Sequence, residues 1–293
     1  MSATVFLITG ASSGFGKAIA LEALRRGHKV IATARDASKL DQLKEAGAAV
    51  LDLDVAAGDE SVAAAFQKAH AIYGRLTHVV NAAGYVLEGA IEESSQAEVA
   101  AIFATNVFGA SATVRAAAPY LRQAVKQDGA QTAIASFGSM AWWEPTPAVA
   151  LYCATKAADS MIMQGAALEL KPFGIDAVTI EPGYFRTELL NSGTGVQRKI
   201  TTAQTLDVYK NTPVEAVRNS LVAADNNQLG DVTKAARVIV DVLTRSGVAK
   251  GRSIPTRLVL GSDCVDKIRE LMAETEKSIK EWEAVSRSTD HDQ

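Results

Sequence analysis

A tyrosine and a lysine four positions apart, Tyr152 and Lys156, form the most distinctive pair of reactive side chains in this sequence. Residues four apart on a helix share one face, so a helix here would place the lysine ammonium near the tyrosine phenol. A free phenol, with a pKa of about 10, exchanges protons poorly at neutral pH, and a nearby cation stabilises its ionised form. The pair therefore predicts a general acid/base whose pKa is lowered by the lysine and which moves a proton to or from a substrate oxygen.

Two polar residues upstream could assist this proton transfer. Ser139 lies thirteen residues before Tyr152, just beyond a predicted strand, where its hydroxyl could bond a substrate carbonyl. Ser136 is an alternative to Ser139, although its position fits the end of the strand itself. Asn106, in a predicted helix, could hold a water that relays protons towards Lys156; alternatively, its amide caps a helix or satisfies the core.

A glycine-rich stretch near the N-terminus, TVFLITGASSGFGKAIA at residues 4–20, predicts where a phosphate group could bind. An apolar strand at 5–8 leads through a turn into an amphipathic helix, so the backbone N–H groups of the first helical turn converge on one point. We expect one glycine to allow the tight turn, one to let the backbone approach a pyrophosphate and one to let helix and strand pack closely: Gly10, Gly14 and Gly16, in that order. Ser12 and Ser13 add hydroxyl donors to the same loop. A glycine turn of purely structural use is the alternative.

The end of the second predicted strand favours a phosphorylated dinucleotide. Dinucleotide folds place the residue that ends this strand beside the adenine ribose, where a carboxylate would bond the 2′-hydroxyl. Here that residue is Ala34, followed by Arg35, whose guanidinium could instead pair with a 2′-phosphate, with Ser12 or Ser13 as hydroxyl donors. This pattern predicts NADP(H) rather than NAD(H) as the cofactor. The alternative is that Arg35 is a solvated loop residue and that Asp36 binds the ribose.

Two further strand ends could contact the same cofactor. Asp54 and Val55, after the third strand, could bond the adenine amino group and pack against its ring. The fourth strand ends in small residues that would let a cofactor lie close against the backbone, namely Asn81, Ala82, Ala83 and Gly84. Small residues after a strand are common, so these segments support a cofactor site only together with the glycine loop.

The composition limits the classes of function that this chain can have. Its 293 residues, 48% of them apolar, can bury the core of a single α/β domain. A formal net charge of −3, with lysines and arginines scattered, gives no reason to expect a nucleic acid or an anionic membrane as partner. Cys153 and Cys264 are too few for a disulfide framework and the four histidines lack the spacing of metal ligands, so we expect no metal. With no signal-peptide pattern and no apolar run long enough to span a bilayer, we expect a cytoplasmic protein that acts on a small molecule.

Apolar strands alternate with amphipathic helices along the chain, which predicts a doubly wound, mostly parallel sheet with helices on both faces. The predicted strands lie at 5–8, 29–34, 49–53, 76–80, 131–136, 175–180 and 257–260. The predicted helices after the first lie at 38–46, 60–73, in two segments of 96–125, and at 148–170 and 231–245. We expect a single domain with its catalytic core at 4–183, a substrate loop or lid at 184–230, a closing helix and last strand at 231–271, and a charged helix that frays into a tail at 272–293. Surface decoration without a role at the site is the alternative for residues 184–230.

In their order along the chain, these motifs resemble those of the short-chain dehydrogenase/reductase family of the Rossmann type. The matching segments are TGASSGFG at 9–16, DV at 54–55, NAAG at 81–84, Asn106, Ser139, YCATK at 152–156 and PGYFRT at 182–187. The resemblance implies that Tyr152 is the general acid/base and that Lys156 both lowers its pKa and holds the nicotinamide ribose. It also implies that Ser139 orients the carbonyl and that Asn106 supports the proton relay.

The same resemblance extends to the rest of the cofactor site. It implies that Phe15 belongs to the cofactor loop and that the backbone near Pro182, Gly183 and Thr187 anchors the nicotinamide carboxamide. Two departures are visible: the segment between Asn106 and Ser139 is a few residues longer than usual, and residues 257–264 resemble a less characterised branch of longer members. A homo-oligomer, either a dimer or a tetramer, is possible for such a protein, but its size does not follow from the resemblance.

Apolar residues that follow Ser139 and Pro182 are predicted to wall the substrate: Trp142, Trp143, Tyr184, Phe185 and Leu189, with Pro145 and Pro147 nearby. Core packing explains aromatic residues at these positions equally well. We expect an NADP(H)-dependent carbonyl reductase or alcohol dehydrogenase with an apolar cyclic, steroid-like or polyketide-like substrate. The alternatives are dehydration or cyclisation on the same fold, and an NADPH-binding regulator without turnover, although a regulator has no need of an intact catalytic set.

Overall fold

One seven-stranded parallel sheet forms the centre of the fold. The computed structural model describes residues 3–191 and 198–291. The strands are β1 Val5–Thr9, β2 Lys29–Ala34, β3 Ala49–Asp52, β4 His78–Asn81, β5 Val86–Glu88, β6 Thr132–Phe137, β7 Ile175–Pro182, β8 Lys199–Thr201 and β9 Arg257–Leu260. The large sheet has the order β3-β2-β1-β4-β6-β7-β9, so its winding reverses between β1 and β4. A crevice opens at the carboxyl ends of these two strands, where ligands bind in open α/β sheets.

Helices cover both faces of this sheet, and the predicted doubly wound single domain is confirmed. The helices are α1 Gly14–Arg25, α2 Asp41–Glu45, α3 Asp59–Tyr73, α4 Gln96–Phe103, α5 Gly109–Asp128, α6 Ala150–Leu170, α7 Pro213–Ala224, α8 Val232–Leu243 and α9 Ser262–Arg287. Side chains alternate along β1, so that Val5 and Leu7 pack against α3, α5 and α6, whereas Phe6 and Ile8 pack against α1 and α8. Apolar residues on both faces of each strand are typical of a buried parallel sheet.

Two helical regions differ from the prediction. The segments expected within 96–125 form one continuous run, in which α4 passes into α5 through a wide turn of π type, Ala104–Phe108. Turns of this type occur often at functional sites, and Asn106 lies within this one. Helix α9 begins at Ser262 rather than near residue 272, because its first turns bury Cys264 and Ile268 against the fold.

The run Gln96–Asp128 is also long and apolar enough to span a membrane by length and composition, with a mean hydropathy of 1.3 in the window that qualifies. This finding corrects the expectation that no apolar run reaches that length. Here α5 packs Ala117 and Leu121 into the core layer that it shares with α3 and α6. Core helices of water-soluble proteins meet the same criterion, so the run carries no membrane assignment.

Part of the predicted lid is attached to the core by a small parallel sheet that the sequence did not predict. Strand β8 pairs with β5, and each has only three residues, too few to show an alternating pattern. Lys199 Nζ lies 2.5 Å from Glu88 Oε2, and both side chains are almost completely buried. Arg218 of α7 pairs with the buried Glu93. Movement of residues 184–230 as a lid therefore stays a prediction. If the segment moves, these contacts attach it to the core at β8 and α7.

Candidate active site

The glycine loop after β1 has the close approaches that its sequence suggests. Gly10 has a φ of +61°, and a Cβ there would lie 2.6 Å from the carbonyl oxygen of Ala82. A Cβ at Gly16 would lie 2.6 Å from the carbonyl oxygen of Gly10, so α1 packs directly on the loop. The N–H of Gly14, the first residue of α1, donates to the Glu188 carboxylate at 3.0 Å. The start of α1 thus already binds an anionic group, as a phosphate site must.

A cavity of about 420 Å³ opens beside this loop at the ends of β2 and β3. It is lined by most of the residues predicted to hold the adenosine half of a dinucleotide: Gly10, Ser12, Arg35, Asp54, Val55, Ala83 and Gly84. Asp36 also lines it, but its carboxylate accepts bonds from the Ser38 N–H at 3.0 Å and the Ser38 hydroxyl at 2.6 Å. Because Asp36 caps the short helix Ala37–Leu40, it is a poorer candidate than Arg35 for the ribose side of the site.

Arg198 is a candidate phosphate ligand that the sequence analysis did not identify. It lies just before β8, and its guanidinium donates to the Ser12 hydroxyl at 2.9 Å, so it reaches from the predicted lid to the glycine loop. Arg198 lines the cavity of about 420 Å³ and also a smaller cavity of about 120 Å³ that contains Ser139, Tyr152 and Lys156. Burial lowers the pKa of Arg198, and the nearby positive charge of Arg35 acts in the same direction. The guanidinium groups of Arg35 and Arg198 line the same cavity, an arrangement that a phosphate would neutralise.

The Asn81 side chain is occupied inside the sheet, so a cofactor contact at this residue would involve its backbone and stays a prediction. Its Oδ1 accepts from the Thr9 hydroxyl at 2.7 Å and its Nδ2 donates to the Ser136 hydroxyl at 3.1 Å. Ser136 donates in turn to the Asp159 carboxylate at 2.8 Å, which also removes Ser136 as an alternative to Ser139. A buried amide needs partners inside the protein, and this one links β1, β4 and β6.

Ser139, Tyr152 and Lys156 come together at a cavity of about 120 Å³. Tyr152 and Lys156 share one face of α6, and the Ser139 side chain lies near enough to the Tyr152 phenol to act on its pKa. Lys156 Nζ lies 5.7 Å from the centre of the Tyr152 ring and donates to the carbonyl of Phe137 at 2.7 Å. The same cavity is lined by residues that were expected to contact the pyrophosphate and nicotinamide: Gly10, Ser13, Gly14, Phe15, Gly16, Ala82, Ala83, Gly84, Pro182, Gly183 and Thr187.

Burial is the main influence on the acidity of the phenol in this structure. It raises the pKa of Tyr152 well above its ordinary value, and Ser139 opposes only part of this effect. Burial also lowers the pKa of Lys156, whose ammonium bonds the Phe137 carbonyl. Lowering of the Tyr152 pKa by Lys156 therefore stays a prediction, and Tyr152 carries its proton at neutral pH.

The Asn106 side chain is occupied within the fold. Its Oδ1 accepts from the N–H of Tyr85 at 3.1 Å, and its Nδ2 donates to the Tyr85 carbonyl at 3.0 Å and to the Thr155 hydroxyl at 3.1 Å. These bonds hold the chain after Gly84 against α6, next to Lys156. They favour the alternative that the amide satisfies the core, and the water relay stays a prediction.

Asp159 connects the interior of the sheet to the catalytic lysine, and it gives a testable pH dependence. Burial raises the pKa of Asp159 from 3.8 to about 6, against the opposing effects of Lys156 and of the bond from Ser136. The folded protein thus keeps this proton to a higher pH than the unfolded chain does. As the pH rises from about 4 to about 6, ionisation of Asp159 lowers the free energy of unfolding by up to about 3 kcal/mol.

We therefore expect Asp159→Asn, which keeps the shape and an acceptor for Ser136, to gain stability relative to the wild type over that pH interval and to keep a constant difference above it. Urea unfolding of both proteins at several pH values between 4 and 8 measures this difference. Parallel stability curves for the two proteins would show that Asp159 titrates normally.

A third cavity, of about 100 Å³, adjoins the cavity of about 120 Å³ and shares Ser139 and Tyr152 with it. Its walls are mainly apolar and include three of the residues predicted to contact substrate: Tyr184, Phe185 and Leu189, together with Val86, Met140, Ala141, Val149, Pro182, Leu190 and Leu221. A mostly apolar cavity with a few polar groups at defined points is typical of a site for a small organic molecule.

Trp142 and Trp143 are absent from the described lining of this cavity, and their role as substrate contacts stays a prediction. The Arg257 guanidinium lies 4.2 Å from the ring centre of Trp142 and 4.1 Å from that of Trp143. Trp143 Nε1 also donates to Glu181 at 3.1 Å, and Arg257 pairs with the same carboxylate at 2.9 Å. Because Arg257 comes from β9, these cation–π contacts tie both indoles to the edge of the sheet, which favours core packing, the alternative named for them.

Comparison with known proteins gives matches over the whole of this site. The family model described as short chain dehydrogenase matches residues 4–195. The uncharacterised oxidoreductase YusZ of Bacillus subtilis is 35% identical over 197 residues, which cover 64% of this chain and 68% of that protein. The oxidoreductase BOA17 of Botryotinia fuckeliana is 29% identical over 287 residues, which cover 96% of this chain and 97% of that protein.

A solved structure extends the similarity to the C-terminal elements. The crystal structure of a short-chain dehydrogenase from Streptomyces avermitilis superposes with a TM-score of 0.85 at 35% identity. The superposition covers 99% of this chain and 100% of that chain. The similarity therefore includes β9 and α9, which lie beyond the residues that the family model matches.

Proposed function

Because this chain belongs to the short-chain dehydrogenase family and is an oxidoreductase of that family, we propose that it transfers hydride between NADP(H) and a carbonyl or secondary alcohol carbon. The observation that carries the proposal is the shared lining of one cavity by the glycine loop, Ser139, Tyr152 and Lys156. The residues also fit a dinucleotide: small residues line the cavity where a backbone must approach closely, and the N-terminus of α1 points its N–H groups at the phosphate position.

In the proposed reaction the side chains of this cavity transfer a proton and stabilise the negative charge that develops. Bound NADPH supplies hydride from C4 of its nicotinamide to the carbonyl carbon. Tyr152 gives its phenol proton to the carbonyl oxygen as negative charge develops there, and Ser139 donates a second hydrogen bond to the same oxygen. Lys156 stabilises the phenolate that remains, by its positive charge. Tyr152 carries its proton at neutral pH, as a group that protonates the carbonyl oxygen must.

The preference for NADP(H) over NAD(H) is supported by the charges at the adenosine end. β2 ends in Ala34, at the position where a carboxylate would select NAD(H), and Arg35 follows directly after it. Asp36, the carboxylate next to it, is occupied by Ser38. Arg198 adds a second guanidinium beside Ser12. We propose that Ser12, Arg35 and Arg198 together bind the 2′-phosphate.

A deuterium-transfer experiment tests this function. The purified protein is incubated with a panel of ketones and either NADPH or NADH, each deuterated at C4 of the nicotinamide, and the products are analysed by mass spectrometry. We expect one deuterium in the carbinol product, with faster turnover from NADPH. Cofactor binding without consumption would favour the regulator, and a product without deuterium would favour dehydration or cyclisation.

The size of the apolar cavity lined by Tyr184, Phe185 and Leu189 supports a compact substrate. An engineered apolar cavity of roughly 150 Å³ holds a benzene molecule, so the cavity of about 100 Å³ accommodates a ring only together with part of the adjoining cavity of about 120 Å³. We therefore propose a cyclic ketone of one or two rings. A steroid-like or longer polyketide-like substrate would need residues of 184–230 to open, which is consistent with the lid that we expect there.

Glu188 is expected to oppose cofactor binding, because its carboxylate bonds the Gly14 N–H at the position proposed for a phosphate. Glu188→Gln removes this negative charge and should strengthen the binding of both NADPH and NADH about threefold to fivefold, since an anion at a helix N-terminus is worth up to about 1 kcal/mol. Titration of the nicotinamide fluorescence measures both dissociation constants. Glu274→Gln on the exposed part of α9 provides a control of the same charge change, and weaker binding by the Glu188 variant would contradict the proposal.

We also propose that the protein is cytoplasmic and that it forms a homodimer or a homotetramer. The two cysteines, Cys153 and Cys264, are free and buried, which is consistent with a cytoplasmic protein. Four apolar residues along one side of α9 are more than half exposed and would be covered in a homodimer or homotetramer: Met272, Ile279, Trp282 and Val285.

A further inference from the structure

Gln228 carries a buried amide that has no partner within the described chain. The side chain is only 5% exposed, and neither its Nε2 nor its Oε1 makes a hydrogen bond. Burial of an amide without compensating hydrogen bonds is unfavourable, and such groups in folded proteins call for an explanation. The position of this one supplies an explanation, because Gln228 lines the cavity that adjoins Ser139 and Tyr152.

The backbone around Gln228 is held firmly, so the amide is not simply a loop side chain. The N–H of Gly230 donates to the Tyr184 carbonyl at 2.9 Å, and the N–H of Arg186 donates to the Gly230 carbonyl at 2.9 Å. A Cβ at Gly230 would lie 2.5 Å from the Phe185 ring, so only glycine allows this contact. The segment that follows β7 and the segment that follows α7 are thereby joined next to the cavity.

Most other polar side chains at this cavity have partners or face solvent. The Thr146 hydroxyl donates to the Glu144 carbonyl at 3.4 Å, and the Glu144 carboxylate lies 3.7 Å from the Lys267 ammonium. Tyr184 also lines the cavity, but it is 41% exposed, so solvent can satisfy its phenol, whereas the amide of Gln228 is buried. A molecule that fills the cavity would therefore meet Ser139 and Tyr152 at its reacting carbonyl and an unsatisfied buried amide at Gln228.

We propose that Gln228 recognises a hydroxyl group of the substrate, located away from the carbonyl that is reduced. An amide offers one acceptor and a donor, and a hydroxyl can satisfy both at once, since it accepts from Nε2 and donates to Oε1. An ether or a second ketone could satisfy only the donor. The substrate class is thus a cyclic keto-alcohol of one or two rings. This inference rests on the proposed function for the reacting end and adds a specificity group at the other end.

The first test compares 2-tetralone with its four ring-hydroxylated isomers, those with the hydroxyl at position 5, 6, 7 or 8, as substrates with NADPH. In the wild type at least one hydroxylated isomer should exceed 2-tetralone in kcat/KM by tenfold or more, and its methoxy analogue should lose that advantage. Gln228→Met has a similar shape without hydrogen bonds and should reduce the ratio to within about threefold of one. Asn227→Ala, at the neighbouring exposed amide, should keep the wild-type ratio. A ratio that survives in Gln228→Met, or the absence of any favoured isomer, would overturn the assignment.

A second measurement does not depend on turnover. If the Gln228 amide is unpartnered, Gln228→Met should melt at the same temperature as the wild type or higher, and a fall of several degrees would show that the amide bonds within the fold instead. Thermal stabilisation by the favoured hydroxytetralone should exceed that by 2-tetralone in the wild type but not in Gln228→Met. If no ketone is reduced but this binding preference holds, the proposed reaction fails and the Gln228 site stands. If ketones are reduced without the preference, the reverse is true.

Discussion

Replacement of Tyr152 by phenylalanine should reduce kcat/KM for ketone reduction by about 10²- to 10⁴-fold, the range typical of the loss of a general acid. The change removes only the phenol oxygen, and the buried ring keeps its contacts with the apolar cluster that includes Val86 and Val149. The fold and the dissociation constant for NADPH should therefore change little. Steady-state kinetics together with a fluorescence titration of NADPH measure both effects.

Tyr120→Phe is the matched control for this experiment. Tyr120 lies on α5 and stacks on His70 at 4.8 Å, among the residues that pack on the core layer of α3, and it is absent from the described lining of all three cavities. The control should keep its activity within twofold. If Tyr152→Phe retained a tenth or more of the wild-type activity, Tyr152 could not be the proton donor and the proposed mechanism would be rejected.

Replacement of Arg35 by aspartate should lower the preference for NADPH over NADH about 100-fold. The change removes a charge-assisted hydrogen bond to the 2′-phosphate and introduces repulsion, which together are worth about 3 kcal/mol. NADH carries a 2′-hydroxyl that aspartate can bond, so its binding should be unchanged or improved. Dissociation constants and kcat/KM for both cofactors measure the preference.

Two further variants locate the effect. Arg252→Asp makes the same change in charge at an exposed arginine that is absent from the described lining of the cofactor cavities, and it should leave the preference unaltered. Arg198→Ala should weaken NADPH about tenfold and NADH much less if Arg198 contacts the 2′-phosphate. Equal losses for the two cofactors would assign Arg198 to the pyrophosphate instead. An unchanged preference in Arg35→Asp would mean that the adenine ribose lies elsewhere.

Local sequence patterns were enough to predict most of the fold and the placement of Tyr152 beside Lys156. The glycine loop, β2 and β9 depend on turn chemistry and on short apolar runs, which are properties of neighbouring residues, and their positions agree closely with the structure. Tyr152 and Lys156 share a face of α6 for the same reason, because a helix repeats every few residues. Such features need no knowledge of distant parts of the chain.

Features that depend on distant partners could not be predicted in this way. The packing of Trp142 and Trp143 depends on Arg257, more than a hundred residues later in the sequence, whose guanidinium lies against both indole rings and pairs with Glu181. Arg198 and Gln228 lie in a segment without periodicity, and only their tertiary neighbours reveal their positions at the cavities. The pKa of Tyr152 also depends on burial, which the sequence does not give at one residue.

The wide turn at Ala104–Phe108 sets a limit on how the length of this chain can vary. A π turn holds one residue more than an α turn, and each residue rotates a helix by about 100°. Deletion of a single residue there would restore a regular helix but would turn Asn106 away from Tyr85 and Thr155, or else turn Ala117 and Leu121 out of the core. Substitutions can therefore accumulate along this helix, whereas insertions and deletions within it should be excluded from any functional variant.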